Sequence, residues 1–216
     1  MKTPKIIDLS TEISSDMISI PKKEHIKTRL DEISTLKKDN VKRTMLHCSC
    51  HCGTHMDAPS HMIPSKISID KIDSNKFMGS AIKIKILAKS NQEIKLGDLK
   101  LPNKKYNFLI LETGWYKHWG FNDYYTHYPY LSESLIKFIC NLPIKGIIVD
   151  LPSLDKFGDN SFRNHKLIFK KNLIVVESAV NLNKLPENNL FQVYAFPLKL
   201  LNAEASPCRV IVNLGK

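Results

Sequence analysis

Between His51 and His61 the chain reads His-Cys-Gly-Thr-His-Met-Asp-Ala-Pro-Ser-His, which places three imidazoles and one carboxylate within eleven residues. These side chains ligate divalent metals, provided the backbone brings them together. A helix does not: His51 and His55 share a face, but Asp57 falls about 200° round from His55 at about 3.6 residues per turn. Gly53 weakens such a helix, and Pro59 breaks it anywhere beyond the first turn. On an extended chain every gap among the four residues is even, so all four side chains can point to one side. The expectation is a strand running into a loop, with a tight bend at Gly53. Neutral imidazoles beside a carboxylate suit Zn2+ or Mn2+. A single buried histidine is more often a hydrogen-bonded core residue, but three with an aspartate at these spacings point to a metal.

The surrounding elements are those of a mixed chain. Residues 4–9 read as an opening strand, residues 15–40 as a polar loop with a short strand, and residues 43–50 as a strand leading into the metal stretch. Residues 66–78 look like a loop or short helix. Ile82-Lys83-Ile84-Lys85-Ile86 alternates as a strand does, residues 107–112 form a near-continuous apolar strand, and residues 146–149 form another that ends at Asp150. Ser132 caps a helix running to Cys140, with Glu133 in its first turn. His165 precedes a short apolar turn of Leu167, Ile168 and Phe169. Ile174-Val175-Val176 is a strand that puts Glu177 at its C-terminal end, a common place for functional groups in α/β folds. No Gly-rich phosphate loop, internal repeat or linker interrupts the series. One α/β domain over residues 1–216 is expected, large enough to bury its own core.

Charge narrows the partners. Lys and Arg number 32 against 21 Asp and Glu, a net charge of +11. The basic residues are scattered doublets, such as Lys22-Lys23, Lys42-Arg43 and Lys170-Lys171, in a chain rich in Lys, Ile and Asn. They form no tract interleaved with aromatics, so a solvated surface is expected and nucleic-acid binding is not. The N-terminus has no apolar signal region and no run is long enough for a membrane helix, so a cytoplasmic protein is expected. The five cysteines, at 48, 50, 52, 140 and 208, are expected to be free thiols. On a strand Cys48, Cys50 and Cys52 would face away from His51 and serve as small packing residues.

The pattern His-x-Gly-Thr-His-x-Asp-Ala-Pro-x-His resembles the signature of the metal-dependent cyclase family of hydrolases, whose members include kynurenine formamidase and isatin hydrolase. Asp8-Leu9-Ser10, Thr113-Gly114-Trp115 and the closing segments Phe196–Leu200 and Ser206–Arg209 resemble further family segments, so the likeness runs from residue 8 to about residue 212. The family also places a histidine and, twelve residues later, a glutamate as remaining ligands, an interval met here by His165 and Glu177. The resemblance implies an α/β fold of the swivelling β/β/α type, with a curved central sheet and few helices. It implies two divalent ions, Zn2+ or Mn2+, with His51, His55 and Asp57 holding one, His165 holding the second, and Asp57 and Glu177 bridging. His61 is then the non-ligand acid/base. The implied reaction is amide C–N hydrolysis by a metal-activated water, whose pKa two ions lower toward about 7. An aryl formamide such as N-formylkynurenine leads as substrate, ahead of an isatin-type cyclic amide or a lactone. A metal-binding domain without turnover is the non-enzymatic alternative. A homodimer or homotetramer is also implied. Where relatives carry a Pro-Gly-Asp turn with an aromatic, this chain has Ile20-Pro21-Lys22-Lys23-Glu24-His25, which leaves the substrate open.

Overall fold

Runs of β-branched and apolar residues broken by short turns build most of this chain into strands, and the strands close on themselves. The computed structural model describes residues 5–21 and 26–215; Pro4 of the expected opening strand and residues 22–25 lie outside it. In chain order the strands are β1 (Ile6–Asp8), β2 (Arg29–Ser34), β3 (Arg43–His47), β4 (His55–Asp57), β5 (Met78–Lys85) and β6 (Glu93–Ile94). They continue as β7 (Phe108–Glu112), β8 (Tyr130–Leu131), β9 (Gly146–Val149), β10 (Ile174–Glu177), β11 (Leu190–Pro197) and β12 (Ala205–Asn213). The helices are α1 (Leu36–Asp39), α2 (Glu133–Ile139) and α3 (Arg163–Lys170). Among the described residues none is long and apolar enough to cross a membrane.

β5, β7, β9 and β10 are mutually parallel. β4 pairs antiparallel with both β10 and β12, while β11 links β12 to β5, so the curved sheet that the family resemblance implies closes into a seven-stranded barrel with β1 on its rim. Alternation along the strands divides the core in two. Phe108, Ile110, Ile148, Val176, Val193 and Val210 fill the barrel. Leu109, Leu111, Ile147, Val149 and Val175 point outward from the parallel half and pack under α2 and α3, as buried parallel strands require.

The alternation carries Lys83 and Glu112 inward as well. Both are 2% exposed, and Lys83 Nζ donates to Glu112 Oε2 at 2.7 Å and to the Leu182 carbonyl at 3.3 Å. Removing one member of such a pair strands the other charge in a dry interior. Lys83→Met is expected to cost about 3–5 kcal/mol, and Lys83→Met/Glu112→Leu to recover most of it. Urea denaturation of the single and double variants checks this.

Two expectations are corrected. β3 stops at His47 and pairs with β2 in a separate two-stranded ribbon, so no strand runs from residue 43 into the metal stretch. The segment around His165 is a helix, α3, instead of a short turn. Its start escaped the sequence because its cap is remote: Asp155 accepts from the backbone N–H groups of Asn164 (2.7 Å) and His165 (3.2 Å). By contrast α2 begins as expected, with Ser132 Oγ accepting from the Leu135 N–H.

Candidate metal centre

The His51–His61 stretch is not one extended run. His51 sits in a turn, His55 and Asp57 lie on β4, and His61 ends a short 3-10 helix, Pro59–His61, with proline in its first position. Gly53 makes the expected bend, but its φ of +59° ends any strand there. A Cβ on it would also lie 2.5 Å from Thr11 Oγ1. Thr54 then fixes the turn: its N–H donates to Thr11 Oγ1 (2.8 Å) and its hydroxyl to the carbonyl of Ser178 (2.7 Å). The two-residue period therefore holds only between His55 and Asp57, with Met56 turned into the barrel between them.

The six residues singled out in the sequence nevertheless converge on the outer side of the barrel. Glu177 pairs directly across from His55 on neighbouring strands, and their side chains meet at 3.5 Å. His51 Nδ1 and His55 Nε2 lie 3.1 Å and 3.5 Å from Asp57 Oδ1. From α3, His165 Nε2 reaches Glu177 Oε1 at 3.0 Å and Asp57 Oδ2 at 3.8 Å. His61 stands beside this group, its ring 4.4 Å from that of His51 and 6.3 Å from that of His165. Two sets of three donors result, His51/His55/Asp57 and Asp57/His165/Glu177, each with its ligand atoms within 4.8 Å of one another and both containing Asp57. The group forms the floor of a cavity of about 350 Å3 walled by Ile20, Met62, Tyr125, Tyr128 and Phe157.

The electrostatics call for positive charge. Burial opposes an imidazolium at His51, but Asp57 and Glu204 outweigh it and push its pKa up to about 10. His165 rises to about 10 against the same burial, through hydrogen bonds to Asp155 and Glu177. Burial alone would raise Asp57; the surrounding histidines hold it far below the carboxylate range. Burial, with the neighbouring His51 and His165, lowers the pKa of His61 against the pull of Asp57 and Glu177. His55 Nε2 and Asp57 Oδ1 are buried without any hydrogen-bond partner, a costly arrangement unless something else satisfies them. Imidazole nitrogens and carboxylate oxygens, buried, converging and partly orphaned, are a donor set that fits a borderline divalent cation.

Surrounding groups hold the rings. The ring of His55 is fixed by its Nδ1, 2.8 Å from the Gly53 carbonyl. His165 Nδ1 meets Asp155 Oδ2 at 2.6 Å, and His51 Nε2 meets Glu204 Oε1 at 3.3 Å. Sequence reasoning assigns no role to Asp155 or Glu204, since a remote cap brings the first near and the β4–β12 pairing the second. Because Asp155 both caps α3 and orients His165, Asp155→Asn is expected to weaken metal affinity about 10–100-fold. Chelator competition measures this, and unchanged affinity would show that His165 holds its orientation alone.

Two other sequence features stand outside the two donor sets. Asp150 accepts from the N–H groups of Thr113 and Gly114 and from the Thr113 hydroxyl (2.7 Å), ordering the Thr-Gly-Trp turn while burial pushes its pKa up to about 6. The three clustered cysteines follow a turn instead of a strand face. Cys52 is buried against Thr28 and Met17, while Cys48 and Cys50 are half-buried; all five cysteines are free.

Residues 7–156 match the Cyclase family model, well over half of the chain. The chain belongs to the cyclase family. Among curated relatives, a kynurenine formamidase of Bacillus cereus is 28% identical over 218 residues, covering 99% of each chain. That of Bacillus mycoides is 29% identical with the same coverage. Isatin hydrolase A from Labrenzia aggregata has the same fold at a TM-score of 0.85 and 23% identity, over 99% of this chain and 94% of its own. The family match ends before α3 and β10, so it is the fold that brings His165 and Glu177 to the family motif.

Proposed function

We propose that this chain hydrolyses an amide C–N bond at a centre of two divalent ions, Zn2+ or Mn2+, with an aryl formamide such as N-formylkynurenine as the leading substrate. The observation that carries the reading is the pair of three-donor sets sharing Asp57 at the floor of an aromatic-walled cavity. The relatives named kynurenine formamidase, matched along their whole length, support the formamide. The isatin hydrolase fold makes a cyclic amide the next substrate to test, followed by a lactone. His51, His55 and Asp57 would hold one ion, and His165 with Asp57 and Glu177 the other. Ions bound there would supply Lewis acidity toward the carbonyl and a lowered pKa for the attacking water.

The remaining steps belong to side chains. Tyr125 and Tyr128, nearly buried on the cavity wall, bind the aryl ring and exclude bulk water. His61 is neutral because burial lowers its pKa, so it can take a proton from the attacking water and pass it to the departing nitrogen. The free thiols are consistent with a reducing, cytoplasmic setting. A two-stranded ribbon is marginal alone in water, and β2–β3 exposes Leu30, Ile33, Met45 and Leu46, which supports a homodimer or homotetramer.

Metal analysis of protein purified without chelator, with N-formylkynurenine, isatin and lactone assays, tests the reading. About two ions per chain are expected, with turnover lost to chelator and restored by metal. His61→Ala is expected to keep the metal and lose about 100- to 10,000-fold in turnover. A folded chain that takes up no metal would overturn the reading, and metal without turnover on any of the three would leave a binding domain.

A further inference from the structure

Each of the three histidines at the centre has one ring nitrogen turned to the shared carboxylates and the other turned to an acceptor outside the group. For His55 and His165 the outside nitrogen is Nδ1, facing the Gly53 carbonyl at 2.8 Å and Asp155 at 2.6 Å. His51 is reversed. Its Nδ1 faces Asp57 Oδ1 at 3.1 Å and its Nε2 faces Glu204 Oε1 at 3.3 Å. His51 also differs in its backbone, since it sits in a turn, outside the ladder that fixes its neighbours. Glu204 comes from the segment entering β12, and its own carbonyl accepts from the Ala58 N–H at 2.8 Å, so it is tied to the strand end that carries Asp57. Its carboxylate lies within one donor group with His51 and His61, yet the side chain is 44% exposed and is not needed to fill a core.

We propose that Glu204 is a positioning residue for the metal centre: by accepting from His51 Nε2–H it fixes the ring so that Nδ1 is the ligating atom, opposite to the Nε2 ligation of His55 and His165. The inference rests on the reading of the cluster as a metal centre. Its chemistry is that of a carboxylate backing a ligand imidazole, which selects the tautomer and raises the basicity of the other nitrogen. It also places the effect on one donor set, because Glu204 touches the His51/His55/Asp57 side and His165 has its own acceptor.

Glu204→Leu removes the acceptor at similar volume, whereas Glu204→Gln keeps a carbonyl oxygen in its place. Competition against a chromogenic chelator, with Zn2+ as the probe, is expected to show Glu204→Leu binding one ion about 10–100-fold more weakly and the other as the unaltered chain does. Glu204→Gln should recover most of that loss, and both metal-free variants should remain folded with a single cooperative melting transition. Side-chain 15N spectra of the Zn2+-loaded chain should show a proton on Nε2 of His51 and on Nδ1 of His55 and His165. Both ions retained at full affinity in Glu204→Leu would overturn the proposal. So would equal losses in the Leu and Gln variants, since the carboxylate would then act as a charge or as a ligand itself. His51 protonated on Nδ1 would overturn it as well. If the unaltered folded chain takes up no Zn2+, the metal centre itself fails, which separates that outcome from a failure of Glu204 alone.

Discussion

Asp57→Asn is expected to reduce bound metal from about two ions per chain to fewer than one and to lower turnover about 100- to 10,000-fold. The reason is that Asp57 is the one residue common to both donor sets, with its oxygens turned toward different partners: Oδ1 toward His51 and His55, Oδ2 toward His165. An asparagine replaces one oxygen with an NH2 group that donates and cannot ligate. Whichever way the amide turns, one set loses an oxygen and both lose the negative charge that offsets two cations. At 1% exposure no water replaces the lost group. Taking one partner from a buried charge cluster costs about 3–5 kcal/mol, and about 1.4 kcal/mol is a factor of ten in affinity, so the loss reaches two to four orders of magnitude. Elemental analysis and steady-state kinetics on the same preparation check it. Two ions retained with turnover within tenfold of the unaltered chain would rule out a shared Asp57.

What the sequence disclosed follows from how local each signal is. His51, His55, Asp57 and His61 are close in the chain, so residue type and spacing sufficed to name them, even though the strand imagined beneath them gave way to a turn, a three-residue strand and a 3-10 helix. The even spacing named residues that do converge, but through a strand that the fold does not form. Gly53 and Pro59, both noted as helix-breakers, also break a strand. His165 and Glu177 carried little local signal, and the family's twelve-residue interval supplied it. Asp155 and Glu204 could not be assigned at all. Their roles depend on a remote cap and on the β4–β12 pairing, which no window along the chain contains. The same holds for the closure of the sheet. Alternation marked β5 as a strand and apolar runs marked β7, β9 and β10, but the ring depends on β4, three residues long, pairing on both sides.

That dependence on close strand contacts makes Gly146→Ala the most damaging small substitution expected outside the centre. Gly146 opens β9 between Phe108 of β7 and Ile174 of β10, with its missing side chain facing into the barrel. A Cβ there would lie 2.4 Å from the Ile174 carbonyl oxygen and 2.5 Å from Ile174 Cγ1. The side chain could turn away, but the carbonyl belongs to the parallel ladder and cannot move without opening β9 from β10. Overpacking a core costs about 1–3 kcal/mol, and more where backbone must shift, so a loss of about 3–5 kcal/mol is expected. At about 2–4 °C per kcal/mol for a domain of this size, the melting temperature should fall by about 6–20 °C. Glu177 lies three residues beyond Ile174 on the same strand, so metal affinity should fall with it. Adding Ile174→Ala removes the contact with Cγ1 and leaves the one with the carbonyl oxygen. The double variant should therefore stay below Ile174→Ala alone, in both melting temperature and metal affinity. A Gly146→Ala chain melting within 2 °C of the unaltered one would mean that β9 and β10 are spaced more widely than described. The coupling between barrel closure and the position of Glu177 would then be lost.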